Sequence, residues 1–111
     1  SSGEKQTMTP EEAISLVKKN PPAKGGYLMI ELGYRKFLLP YAEGLTVLKA
    51  LETAHMVDIP YASPAKLHAY ELNAELTVHA YPPETLEAIR VSELLAISFT
   101  DALAAMRNIL P

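Results

Sequence analysis

Between Gly26 and Thr53 the chain carries one feature that leaves few folds open: two apolar runs separated by a glycine-led pair of residues, followed at once by a stretch of helical period. Tyr27 to Leu32 and Arg35 to Leu39 read as strands. Gly33 and Tyr34 read as the turn between them, since glycine at the first turn position supplies the positive φ that a II′ hairpin requires. Such a turn fixes the register. Leu32 falls opposite Arg35, Ile30 opposite Phe37 and Leu28 opposite Leu39, and directly opposed residues point to one face, here a core face. The other face carries Glu31 opposite Lys36 and Met29 opposite Leu38, a charge pair at the tip and apolar side chains at the base. A hairpin apolar on both sides has to be covered twice, by helices or by another subunit.

The helix after the hairpin runs from about Ala42 to Ala54. It lines up Leu45, Leu48 and Leu51 with Ala54 or His55, and leaves Glu43, Lys49 and Glu52 outside the stripe. An earlier helix opens at Thr9, which serves as N-cap to Pro10 at the first helical position and to Glu12 as the closing residue of a capping box. Ile14, Val17, Ala13 and Leu16 form its apolar side, Lys18 and Lys19 suit the negative end of its dipole, and Asn20 followed by Pro21 and Pro22 stops it. Pro60 and Pro64 make a loop of the residues after the second helix.

Residues 66 to 81 read as a second hairpin, turning at Asn73 and Ala74 because asparagine tolerates the left-handed conformation. In that register the apolar face pairs Glu71 with Leu76, Ala69 with Val78 and Leu67 with Ala80. The opposite face pairs Tyr70 with Thr77, His68 with His79 and Lys66 with Tyr81. A one-residue slip would mix the two sets. Residues 84 to 98 fit a helix through Leu86, Ile89, Leu94 and Ile97, or a fifth strand over 86 to 91 and then a helix; periodicity leaves both open. Thr100 and Asp101 are the expected cap of a last helix through Leu103 and Met106 to Ile109.

The expected architecture is therefore α+β, with two antiparallel β-hairpins forming one sheet packed with an amphipathic helix and C-terminal helices. With 111 residues, 49% of them hydrophobic, one domain over residues 9 to 111 is expected. Ser1, Ser2 and Gly3 look like the remnant of an expression tag, and residues 1 to 8 are expected to be a disordered N-terminus. Ten basic and thirteen acidic residues are interspersed, for a net charge of -3, which argues against duplex DNA as the main partner. The absence of cysteine excludes a disulfide framework, a thiolate nucleophile and a Cys-based zinc site, and fits a cytoplasmic, reducing compartment. No apolar run reaches the roughly 18 residues of a membrane span, so no membrane partner is expected.

The most distinctive group of side chains is Lys66, His68, Tyr70, Thr77, His79 and Tyr81 on the polar face of the second hairpin. Aromatic surfaces beside hydrogen-bonding tips suit a base, a peptide or a partner loop, although Tyr, Thr and His are also ordinary residues of a solvated sheet face. Arg35 and Lys36 at the first hairpin tip, with Lys66 and Arg90, are candidate anion ligands if hairpin tips or subunits converge; alone they are edge charges that discourage stray strand pairing. His68 and His79 across a strand pair are close enough to share a metal, yet zinc needs a third ligand, which Glu75 or His55 would have to bring, so neither a metal nor any other cofactor is expected. Ser63, Ser92 and Ser98 sit in no nucleophile elbow, and Gly25 and Gly26 lack the phosphate-loop signature.

The order of hairpin, helix and second hairpin across residues 27 to 81, centred on the run FLLPYAEGLTVLKAL from Phe37 to Leu51, resembles the layout of small accessory proteins encoded by tailed bacteriophages. The resemblance implies a non-enzymatic protein that inhibits a host defence or transcription protein, or an oligomeric sponge that sequesters a nucleotide signal. It assigns no residue. The expected function is a non-catalytic homo-oligomeric binding protein, taking a small anionic ligand or a host protein through Lys66, His68, Tyr70, Thr77, His79, Tyr81, Arg35 and Lys36. The alternatives are an assembly adaptor that makes only protein contacts and a small metal enzyme using the two histidines.

Overall fold

In the computed structural model, helix α1 (Pro10–Lys19) begins with both halves of the expected capping box. The Glu12 N–H donates to Thr9 Oγ1 at 3.1 Å, and the Thr9 N–H donates to Glu12 Oε1 at 3.2 Å. The structure describes residues 7–59, 62, 65–71 and 76–109, apart from the side chains of Tyr70, Glu71 and Ile109. The anticipated turn at Asn73 and Ala74, Glu75 as a metal ligand, Ser63, the prolines of the 60–64 loop and the tag remnant lie outside the described residues.

Strands β1 (Tyr27–Leu32) and β2 (Arg35–Pro40) pair in the register that the turn dictates, Leu32 with Arg35 through Tyr27 with Pro40. Gly33 has φ +57°, the positive value a II′ turn needs, and Tyr34 beside it stands fully in water. Helix α2 (Tyr41–Leu51) follows directly. Its buried residues are Gly44 and Leu48, and the close approach of Gly44 to Leu28 lets the helix lie down on the sheet.

Strand β3 (His55–Asp58) lies in what the sequence presents as a connector, and it pairs antiparallel with β4 (His68–Glu71). Strand β5 (Leu76–Tyr81) pairs instead with β1, giving a three-stranded antiparallel sheet in the order β2-β1-β5 and a separate two-stranded sheet β3-β4. The α+β class stands, whereas the pairing of residues 66–71 with 76–81 does not form. Leu76 and Val78 supply the reason. Both are buried, opposite Leu32 and Ile30, so β5 gains more by extending the core face of β1 than by closing on Leu67 and Ala69, which stay exposed.

Residues 85–95 are helical. Helix α3 (Thr85–Leu95) ends at Ala96, which adopts the left-handed conformation at φ +54°. Helix α4 (Phe99–Ile109) is capped by Ser98 rather than by Thr100 and Asp101, since Ser98 Oγ accepts from the Asp101 N–H at 3.0 Å.

One face of the three-stranded sheet meets α1 and α2 over a core of Ala13, Val17, Leu28, Ile30, Leu48, Leu76 and Val78. Each buried Leu, Ile or Val side chain there contributes about 1.5–3 kcal/mol of transfer free energy. The rest of the chain stands off from this body. The β3-β4 pair and the α3-α4 pair each pack chiefly on themselves. The radius of gyration is 17.1 Å, against about 13 Å for a compact domain of this length.

Candidate functional site

Strand β1 sets the chemistry of the sheet face turned away from α1 and α2. Alternation places Tyr27, Met29 and Glu31 on that face, with Tyr81, His79 and Thr77 of β5 opposite them in turn and Pro40, Leu38 and Lys36 of β2 on the other flank. Three residues of the expected binding group are thereby brought together: Thr77, His79 and Tyr81 share one face of one strand.

Their surroundings differ from those expected. Thr77 is 5% exposed and Glu31 7% exposed, and the Thr77 hydroxyl donates to Glu31 Oε2 at 3.2 Å. That hydroxyl is committed to the sheet's own carboxylate. The Tyr81 ring meets Phe99 of α4 edge to face, with centroids 6.0 Å apart, so it joins the end of β5 to the helical pair. His79 is exposed opposite Met29.

The other residues lie elsewhere. His68 is exposed on β4 opposite Asp58, Tyr70 is opposite Met56, and Lys66 is exposed just before the strand. His68 and His79 belong to different sheets, so the cross-strand pair on which a shared metal depends is not made. Among the described residues no three His, Asp or Glu side chains form a group able to hold a metal ion. Arg35 and Lys36 are exposed on β2 and make no ion pair among the described residues; the ion pairs seen there are Lys49 with Glu52, Arg90 with Glu87, and Arg107 with Glu84. Arg90 is thus tied to its own helix.

The surface features that a motif search passes over are apolar. Ile30, Leu32, Phe37, Leu39, Val47 and Leu51 line a groove of about 250 Å³ between the β1-β2 hairpin and α2, and the lining residue Phe37 is 51% exposed. Leu94 is 77% and Leu95 62% exposed at the end of α3, and Val57, Ile59 and Leu67 are exposed around the β3-β4 pair. One trace of the α3 ridge is in the sequence: the adjacent leucines Leu94 and Leu95 close the helix just before Ala96, with side chains about 100° apart around its axis.

No helix among the described residues is long and apolar enough to cross a membrane. The fold and its surfaces define an α+β chain with a small three-stranded body and two projecting pairs of elements. Compared with protein-family models, with curated proteins and with solved structures, the chain has no match in any of the three.

Proposed function

We propose that this chain is a non-catalytic, oligomeric binding protein that acts through protein contacts. One observation carries the reading: apolar side chains stand in water on two pairs of elements that pack chiefly on each other, Leu86, Leu94 and Leu95 on α3 of the α3-α4 pair, and Val57 on β3 with Leu67 just before β4. Scattered exposed apolar residues are ordinary, but paired elements that pack chiefly on each other among the described residues and also expose several large apolar side chains are what contact surfaces look like before assembly. Sedimentation velocity over a concentration series tests the reading. Association beyond the monomer supports it, and a single monomeric species throughout the series removes it.

A second reading, capture of a small anion, is favoured by Arg35 and Lys36, adjacent cations at the hairpin tip that no described carboxylate pairs. Arg35→Ala/Lys36→Ala should then lose binding of a nucleotide probe in calorimetry, with an unchanged circular dichroism spectrum. Equal heats from wild type and variant would end that reading.

A further inference from the structure

Strand β2 is an outer strand of its sheet. A two-residue hairpin turn makes Leu32 and Arg35 a hydrogen-bonded pair, and alternation then directs the backbone groups of Arg35, Phe37 and Leu39 toward β1. The N–H and C=O groups of Lys36 and Leu38 point outward. An open edge of this kind templates a further strand. Directly beside it lies the apolar groove, with Phe37, Leu39 and Val47 on its walls.

The β3-β4 pair has the opposite deficiency. Among the described residues it is a two-stranded ladder that packs chiefly on itself, and such ladders are at best marginal in water. Val57, in the middle of β3, is 55% exposed. The described residues thus carry a strand edge beside an apolar groove and an apolar ladder that packs chiefly on itself.

We propose that two copies of this chain assemble by arm exchange, the β3-β4 arm of each lying antiparallel along the β2 edge of the other. The proposal rests on the oligomeric reading above and names its interface. The sequences of the two strands fit in one register. Asp58 falls opposite the partner's Lys36, Val57 opposite the partner's Phe37 and Met56 opposite the partner's Leu38: a charge pair, a β-branched side chain on an aromatic ring, and an apolar pair.

Neighbouring registers lose this fit. A shift of two residues sets Asp58 against Leu38 in one direction, and Val57 and Met56 against Arg35 and Lys36 in the other. A shift of one sends Val57 to the face away from the groove. In the fitting register Val57 lies on the face of Phe37 and Leu39, where the groove opens. A second copy satisfies the count as well, because a two-fold axis relates two arms to two edges and leaves neither over.

The chain contains no cysteine, which gives a clean test. Phe37→Cys and Val57→Cys are made as separate single variants, both at exposed positions, and their folding is checked by circular dichroism. The two proteins are mixed, allowed to exchange and oxidised. Intact mass spectrometry is expected to find a disulfide-linked species containing one chain of each variant, with little cross-linking in either variant alone. Three results would overturn the proposal. If wild type is monomeric on sedimentation, arm exchange and the oligomeric reading fail together. If wild type associates but the mixture gives no mixed disulfide, the interface lies elsewhere and only arm exchange fails. If the double variant in one chain closes an internal disulfide and the mixture gives none, the arm folds onto its own edge.

Discussion

Thr77 and Glu31 stand directly opposite each other on β5 and β1, both buried, with the Thr77 hydroxyl donating to Glu31 Oε2 at 3.2 Å. A buried carboxylate that loses a donor bears part of its desolvation cost, about 1–3 kcal/mol. Thr77→Val, similar in volume, should therefore lower stability by that order, and Thr77→Ser by much less. Urea unfolding midpoints at neutral pH check both. Equal midpoints for wild type and Thr77→Val would mean that the hydroxyl does not support Glu31.

Ala96 closes α3 in the left-handed conformation, and its own N–H and that of Ile97 both reach the Ser92 carbonyl. A side chain with a Cβ is strained there by about 1–2 kcal/mol, which glycine avoids. Ala96→Gly should therefore raise the thermal midpoint, an uncommon direction for a glycine substitution. A lowered midpoint would contradict the cap geometry.

What the sequence disclosed follows from the range over which each signal acts. The capping box at Thr9 and Glu12 and the turn at Gly33 are local, so α1 and the β1-β2 register were legible to the residue. The alternation of Leu76 and Val78 with Thr77 and His79 was legible too, but the partner of that strand was not. Two strands apolar on one face can pair with each other or with a third, and the choice rests on burial against a strand some fifty residues away. Strand β3 was hidden because His55 to Asp58 has too few residues to show a period. The binding group inherited this error, since placing His68 and Tyr70 beside His79 and Thr77 depended on the pairing that β1 and β3 displaced.

Gly44 of α2 packs on Leu28, and a Cβ added there would lie 2.9 Å from Leu28 Cδ1 and 3.0 Å from its Cβ. Leu28 is fully buried and has little room to yield. Gly44→Ala gains about 1 kcal/mol of helix propensity, but overpacking typically costs about 1–3 kcal/mol. Net destabilisation is expected, read as a lower thermal midpoint. A higher midpoint would show that α2 can lift from the sheet without loss.

Glu84, at the N-terminus of α3, accepts from Arg107 Nε of α4 at 3.3 Å. Its pKa is held below the ordinary value chiefly by a hydrogen bond from its own backbone N–H; burial opposes this, and the hydrogen bond and charge of Arg107 add to the lowering. The folded carboxyl binds its proton less readily than the unfolded one, so its stabilisation is complete above the ordinary carboxylate pKa and is lost as pH falls through the lowered folded value. Glu84→Gln should flatten that acid limb in a pH series of thermal melts. Arg107→Ala should cost only about 0.5 kcal/mol at neutral pH, as exposed pairs do. An unchanged acid limb in Glu84→Gln would assign the acid loss to other carboxylates.

Native mass spectrometry of the purified protein, followed by denaturation in the same instrument, tests the central claim most directly. The account predicts a species with the mass of two chains that separates into single chains and releases no small molecule. A monomer at every concentration, or an assembly that releases a nucleotide-sized anion, would contradict it.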